Sequence, residues 1–142
     1  MATVFSHVAL NCRDISVTEK FYSTHFGFRR ARVIPLGADQ IVFIKSGTVY
    51  LELFTAEGQA PGAAPEKDGP HAPTTFRHIA FQVDNVDATL AAMGSDARVT
   101  LGPLDFGAFI PGWRTAWVTD PDGNIVEISQ GYTDQADVPA AG

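Results

Sequence analysis

The sequence predicts an α+β fold, in which two βαβββ modules pair into a curved, barrel-like mixed sheet around a central cavity. The motif HVALN at residues 7–11 recurs in kind as HIAFQ at residues 78–82. Each copy begins a run of strand, helix and strands. Each run ends in a strand with one carboxylate between apolar residues, LEL at 51–53 and VEI at 126–128. A segment rich in Pro, Gly and Ala, residues 58–75, separates the two runs.

The chain has 142 residues, which is the length of one domain with a single core. The repeat is too long for a solenoid, so we interpret it as two fused modules within that domain. The predicted parts are module 1 at about 4–57, a linker at about 58–75, module 2 at about 76–130 and a C-terminal tail at 131–142.

Composition excludes several classes of protein. A formal charge of −6 opposes binding to phosphate backbones, so we expect no nucleic-acid partner. The single cysteine, Cys12, rules out an internal disulfide framework and suits a reducing compartment. No basic-then-apolar leader and no stretch of membrane-spanning length is present, so we expect a cytoplasmic protein without a membrane partner.

The first helix is framed by standard start and stop signals. Either Asp14 or Ser16 can cap it, and a glutamate three residues after Ser16 completes a possible capping box. Val17 and Phe21 are four residues apart and should share one helix face. Gly27 is a natural C-terminal stop.

Strands in module 1 follow from alternation of apolar and polar residues. In the first strand His7, Ala9 and Asn11 should share a face, with Cys12 on the opposite one. Pro35 should end the second strand. The strands are predicted at residues 4–11, 28–34, 40–44 and 49–54.

Module 2 repeats this plan. Asn85 or Asp87 should cap a short helix that Gly94 ends. A long aromatic loop should then follow a brief strand, and a type I turn at 120–123 should close the last hairpin. The strands are predicted at residues 76–83, 99–101, 114–119 and 125–129, with the loop at 102–113.

Strand parity places two histidines and two glutamates, His7, Glu52, His78 and Glu127, on the faces that curve together. Taken singly, a strand Glu is usually solvated and a strand His usually packs. Four such groups that converge without a cation would face strong desolvation and repulsion. We therefore predict one divalent metal per site, held by these four residues. Imidazole and carboxylate ligands suit Ni, Co, Zn, Fe or Mn, and the sequence does not choose among them.

Side chains near these ligands are candidates for binding a small-molecule substrate. Amides at equivalent places in the two modules could hold polar atoms, aromatic groups could form walls, and the aromatic loop could close over a substrate. An arginine after that loop could bind an anionic group or make a surface ion pair. These candidates are Asn11, Tyr50, Phe54, Gln82, Phe106, Phe109, Trp113 and Arg114.

The chain resembles the vicinal oxygen chelate superfamily, which includes glyoxalase I, methylmalonyl-CoA epimerase, extradiol dioxygenases and bleomycin-resistance proteins. FGF at 26–28 and DPDGN at 120–124, leading to Glu127, carry the resemblance together with the strand–helix run from His7. It implies paired βαβββ modules, a metal at the four positions above and often a homodimer. It also implies metal stabilisation of a substrate with adjacent oxygens, with Glu127 or Glu52 as the base.

Each member pattern differs from this chain at some position. In glyoxalase I an Arg and an Asn contact glutathione, and the corresponding positions here are Asn11 and Ala56. The position of the base glutamate of the epimerase is Leu36. Extradiol dioxygenases have no carboxylate ligand at the place of Glu52, and bleomycin-resistance proteins generally lack the ligand set. The expected function is a glyoxalase-like lyase or isomerase with an unassigned substrate. Alternatives are a protein that sequesters an aromatic or antibiotic-like molecule, and a ring-cleaving dioxygenase.

Overall fold

The computed structural model describes residues 5–56, 78–137 and 139–140. The predicted linker at 58–75 lies outside these residues. The elements, in chain order, are β1 (His7–Cys12), α1 (Ile15–Phe26), β2 (Arg29–Leu36), β3 (Asp39–Ser46), β4 (Val49–Thr55), β5 (Ile79–Gln82), α2 (Val86–Met93), a 3₁₀ turn (Gly94–Asp96), β6 (Val99–Asp105), β7 (Arg114–Thr119) and β8 (Ile125–Gln130).

This order confirms the α+β class and the duplicated βαβββ plan. Each module builds its own four-stranded mixed sheet, with orders β1-β4-β3-β2 and β5-β8-β7-β6. In both sheets the first and last strands of the module pair in parallel, as β1 with β4 and β5 with β8. The expectation of a barrel-like sheet needs correction, because the two sheets are not closed into a barrel.

The described residues group into two compact units. The first contains the chain up to residue 56 together with the turn at 119–124, and the second contains residues 78–118 and those from 125 onward. The turn between β7 and β8 is therefore packed in the unit of the first module, although its flanking strands belong mainly to the second.

The core of the first unit lies between its sheet and α1. Alternate residues of β1 and β4 are buried, whereas their neighbours on the other face remain half-buried or exposed. The predicted parity of both strands is thus confirmed, including the burial of Cys12 opposite His7. Burial raises the pKa of the Cys12 thiol to about 12, so the thiol stays protonated at neutral pH.

Asp14, and not Ser16, caps helix α1. The Asp14 carboxylate accepts a hydrogen bond of 2.9 Å from the Ser16 backbone N–H. Gly27 ends the helix in the left-handed conformation, as predicted, with φ of 70°. The expectation for Val17 was wrong, because it is 49 % exposed whereas Phe21 is buried. The buried stripe of the helix also contains Thr18 and Tyr22.

Two strands continue past the Pro and Gly residues at which the sequence predicts their ends. β2 continues through Pro35 to Leu36, and β6 continues through Gly102 and Pro103 to Asp105. The aromatic loop is correspondingly shorter. Gly102 has φ of 90°, and a Cβ there would meet the Thr115 carbonyl oxygen at 3.0 Å. Both strands lie at sheet edges, where a missing backbone N–H costs least.

Helix α2 is capped by Asn85, whose side chain accepts a 2.8 Å hydrogen bond from the Ala88 N–H. This settles the choice between Asn85 and Asp87. Gly94 ends the helix as predicted. β5 is shorter than predicted and begins at Ile79, so His78 immediately precedes the strand. No helix among the described residues is long and apolar enough to cross a bilayer.

Two buried carboxylates of the β7–β8 turn accept hydrogen bonds from side chains of α1 and from the backbone just before it. Asp120 accepts a 2.8 Å hydrogen bond from the Tyr22 hydroxyl. Asp122 accepts one from the Thr18 hydroxyl and one of 2.8 Å from the Arg13 backbone N–H. Burial raises the pKa of Asp120, and burial together with the charge of Asp120 raises the pKa of Tyr22 well above its usual value.

We expect Tyr22→Phe to reduce the free energy of unfolding by about 1.5–3 kcal/mol, the range for a hydrogen bond to a charged group. The ring remains, but buried Asp120 loses a donor. Urea denaturation measures the effect. Tyr132→Phe is the matched control, because Tyr132 is 49 % exposed and should tolerate the same change. Equal stability of the two variants would contradict the role assigned to this hydrogen bond.

Candidate metal and substrate site

The first unit brings one histidine and one glutamate together. In the parallel pairing of β1 with β4, His7 lies opposite Tyr50 and Ala9 lies opposite Glu52. The small side chain of Ala9 leaves room for the diagonal contact, in which His7 Nε2 lies 3.2 Å from Glu52 Oε1. The Ser6 hydroxyl lies 2.8 Å from Nδ1 of the same imidazole and helps to orient the ring.

The second unit contains an equivalent pair. β5 pairs with β8 so that Ala80 lies opposite Glu127. His78 Nε2 lies 3.6 Å from Glu127 Oε1. Both side chains are less exposed than His7, at 21 % for His78 and 17 % for Glu127, against 37 % for His7. Burial raises the pKa of Glu127, while the His78 charge and the nearby Trp117 indole act in the opposite direction.

The geometry of each pair fits two ligands of one divalent ion. Metal–nitrogen and metal–oxygen bonds of about 2.0–2.2 Å place neighbouring ligand atoms about 3.0–3.4 Å apart. The observed separations of 3.2 and 3.6 Å lie close to this range. Within the described parts of the chain, no three or more His, Cys, Asp or Glu side chains form a group that could hold a metal. Each pair alone therefore supplies half of the predicted ligand set.

A cavity of about 230 Å³ lies beside Glu127 in the second unit. Trp113 forms one wall and is fixed by a 3.1 Å hydrogen bond from its Nε1 to the Ser129 hydroxyl. The Tyr132 ring packs edge-on against Trp113 at 6.2 Å. The lining residues are Ala80, Phe81, Gln82, Trp113, Glu127, Ser129 and Tyr132.

Only Gln82, Trp113 and Glu127 of this lining were among the predicted site residues. Ser129 was recoverable, because it lies two residues after Glu127 in the same strand and shares its face. Tyr132 was not recoverable, because it lies in the C-terminal tail, whose sequence has no periodicity.

A second cavity, of about 220 Å³, lies in the first unit and is lined by Ala31, Arg32, Phe43 and Tyr50. Tyr50 was predicted. Phe43 is opposite Glu52 in the pairing of β3 with β4, and its ring lies edge-on to His7 at 5.8 Å. Arg32 places a cation in this lining, which the sequence pattern did not indicate.

The remaining predicted substrate residues are not in the lining of either cavity. Asn11 is exposed on the His7 face of β1, and Phe54 is half-buried on the Glu52 face of β4. Phe106 packs against Trp113 at 5.1 Å, so it supports the cavity wall. Phe109 is 78 % exposed at the loop tip.

Arg114 makes a two-pronged ion pair with Asp87, with both nitrogen–oxygen distances at 3.0 Å. The pair lowers the pKa of Asp87 and raises that of Arg114 through its hydrogen bonds. Arg114 was expected either to bind an anionic group or to make a surface ion pair, and in the structure it makes the ion pair.

Trp117 is buried in β7 at 6 % exposure. Its Nε1 lies near enough to Glu127 to favour the ionised carboxylate. The Nε1 atom nevertheless makes no hydrogen bond with any acceptor in the described residues.

A model of the Glyoxalase/Bleomycin resistance protein/Dioxygenase superfamily matches residues 4–128 of the chain. This match includes both His–Glu pairs and the turn at 120–124. A comparison with curated proteins found no significant match.

Solved structures support the same assignment. A glyoxalase family protein from Enterococcus faecalis is 27% identical, with 89% of this chain and 96% of that chain covered and a TM-score of 0.66. The trypanothione-dependent glyoxalase I of Leishmania major is 25% identical, with 92% and 88% covered and a TM-score of 0.66. TnmS3, an antibiotic-binding protein from Streptomyces sp. CB03234, is 21% identical, with 92% and 98% covered and a TM-score of 0.65, and shows similarity of fold alone.

Proposed function

The chain belongs to the glyoxalase/bleomycin resistance protein/dioxygenase superfamily, and on this premise we propose that it is a divalent-metal-dependent, glyoxalase-like lyase or isomerase. Its substrate would be a small molecule with adjacent oxygens. One observation carries the proposal: equivalent His–Glu pairs stand in both modules, with ligand-atom separations of 3.2 and 3.6 Å. The single cysteine, Cys12, favours a reducing, cytoplasmic setting.

Four side chains would hold the metal, which would be Ni, Co, Zn, Fe or Mn: His7, Glu52, His78 and Glu127. Two imidazole nitrogens and two carboxylate oxygens form a donor set that suits any of these ions. When bound, the ion would supply positive charge that stabilises an enediolate derived from the substrate.

Glu127 is our first choice for the base, with Glu52 as the alternative. Glu127 would take the proton from the substrate carbon and return it at the neighbouring carbon. Two observations favour it. Glu127 lines the cavity in the second unit, and burial raises its pKa toward the range that serves a base near neutral pH. The Gln82 amide, in the same lining, would orient polar substrate atoms.

Protein purified without chelator and without a nickel-binding tag should contain close to one divalent ion per chain, measured by mass spectrometry of the metal. Loss of any ligand by His7→Ala, Glu52→Ala, His78→Ala or Glu127→Ala should weaken metal affinity by more than about 100-fold, since second-shell changes alone cost about 10–100-fold. Affinity should also fall in acid, because protons compete for the same atoms. The control is Asn11→Ala, on the exposed His7 face, which should bind as wild type does. Metal-free protein that cannot be reloaded would refute this site.

Metal-loaded protein should turn over a hemithioacetal, an acyl-CoA or a 2-oxo compound. Glu127→Gln should lower kcat by about 10²-fold or more, the usual contribution of a general base, with substrate binding changed far less. The comparison is made at saturating metal. If Glu52→Gln abolishes turnover and Glu127→Gln does not, Glu52 is the base.

The second candidate is a protein that sequesters an aromatic small molecule. The cavity beside Trp113 and Tyr132 favours it, because both rings offer flat apolar surface. In that case binding would survive chelation of the metal, and His78→Ala would leave it nearly intact. If the protein is instead an enzyme, chelation of the metal and His78→Ala should each abolish activity. These two treatments therefore separate the candidates.

We also propose a homodimer. All eight residues of edge strand β2 are exposed, including Val33, Ile34 and Leu36. A long exposed edge strand with apolar side chains favours association with another surface.

Sedimentation equilibrium should give twice the 15.2 kDa of one chain. Ile34→Lys should shift the protein toward monomer, because a charge would then be buried in the contact. Val17→Lys, at a 49 % exposed position on α1, is the control and should leave the mass unchanged. A wild-type monomer at micromolar concentration would disprove the dimer.

A further inference from the structure

The indole N–H of Trp117 is a buried donor without a described acceptor. The side chain is 6 % exposed, and no hydrogen bond of Nε1 is completed within the described residues. Leaving such a donor unpaired costs about 1–3 kcal/mol, so native proteins rarely do so without a reason. The other tryptophan provides the contrast, because Trp113 Nε1 donates to Ser129 at 3.1 Å.

Strand pairing directs Trp117 toward Glu127. β7 and β8 are neighbours in the sheet, and a 2.9 Å hydrogen bond from the Asp120 N–H to the Asn124 carbonyl closes their hairpin. Counting back from that pair without a bulge places Trp117 opposite Glu127. Residues opposite each other in an antiparallel pair share a face and have Cβ atoms about 4.5–5.5 Å apart.

We propose that Trp117 is a positioning residue for Glu127: its indole N–H donates to the carboxylate when the carboxylate binds a metal. Glu127 Oε1 already faces His78 Nε2 at 3.6 Å, the side from which a shared ion would be held. A carboxylate that gives one oxygen to an ion keeps its second oxygen as an acceptor. Ligating carboxylates in proteins are themselves hydrogen-bonded, and these outer partners set their orientation.

The inference rests on the proposed function for the metal itself, but it concerns a residue outside the ligand set. It also assigns different roles to the two modules, because the positioning donor belongs to the Glu127 pair.

Nuclear magnetic resonance of ¹⁵N-labelled protein tests the contact directly. The chain has two tryptophans, so it gives two indole N–H signals, which Trp113→Phe assigns without altering Trp117. Addition of Zn²⁺ to metal-free protein should move the Trp117 signal downfield and slow its hydrogen exchange, as a newly formed hydrogen bond does. The Trp113 signal should move much less, since its hydrogen bond to Ser129 already exists. In Glu127→Ala the Trp117 signal should no longer respond in this way.

Zn²⁺ affinity provides the second readout. Trp117→Phe keeps an aromatic side chain, smaller than the indole and without the N–H, and should weaken Zn²⁺ binding by about 10–100-fold, the usual effect of removing an outer partner. Trp113→Phe removes the same group from the other tryptophan and should bind Zn²⁺ close to wild type. Thermal melting of the metal-free variants checks that both are folded.

The outcomes are distinguishable. Wild-type protein that binds Zn²⁺ with a stationary Trp117 signal, or Trp117→Phe that binds as tightly as wild type, overturns the role of Trp117 and leaves the metal site standing. Wild-type protein that binds no Zn²⁺ overturns this inference, and wild-type protein that binds none of Ni, Co, Zn, Fe and Mn overturns the proposed function as well. The signal of the wild-type protein decides the matter even if Trp117→Phe fails to fold.

Discussion

The buried carboxylates of the β7–β8 turn are the constraint on which much of this structure depends. Asp120 and Asp122 are 1 % and 3 % exposed, and moving ionised carboxylates out of water is costly. The first unit offsets that cost with donors from its own helix and helix cap, including the Tyr22 and Thr18 hydroxyls. The turn is therefore held by specific hydrogen bonds, and it closes the hairpin whose strands carry Trp117 and Glu127.

Sequence reasoning succeeded where one physical rule dominates. A sheet covered on one face alternates buried and exposed residues, so the parity of His7, Glu52 and Cys12 could be read directly. It failed where two rules compete. Pro35 and the Gly102–Pro103 pair were taken as strand ends, but both lie in edge strands, where the ladder needs fewer hydrogen bonds. Pro and Gly are therefore weaker signs of a strand end in an edge strand than in a central one. Which strands lie at the edge is known only once the order of strands in the sheet is known.

The site residues likewise divide into those that the sequence could predict and those that it could not. Each His–Glu pair was predictable, because a repeated motif and strand parity fix which side chains share a face. Tyr132 could not be predicted, because its contact with Trp113 comes from an aperiodic tail. The role of Arg114 was open in the sequence for a different reason: its partner Asp87 lies 27 residues away, and only the fold brings them together. Long-range polar contacts carry no periodic signal.

The repeat gives each module a His–Glu pair, but the surroundings of the two pairs differ. The first pair is more open, with His7 37 % exposed and Arg32 and Tyr50 in the nearby cavity. The second pair lies beside the aromatic cavity, where burial raises the pKa of Glu127. A carboxylate that only holds a metal functions best when it stays ionised, whereas a base benefits from a raised pKa. If Glu127 is the base, as we propose, the residues that surround each glutamate separate the two tasks while both modules keep the same His–Glu pair.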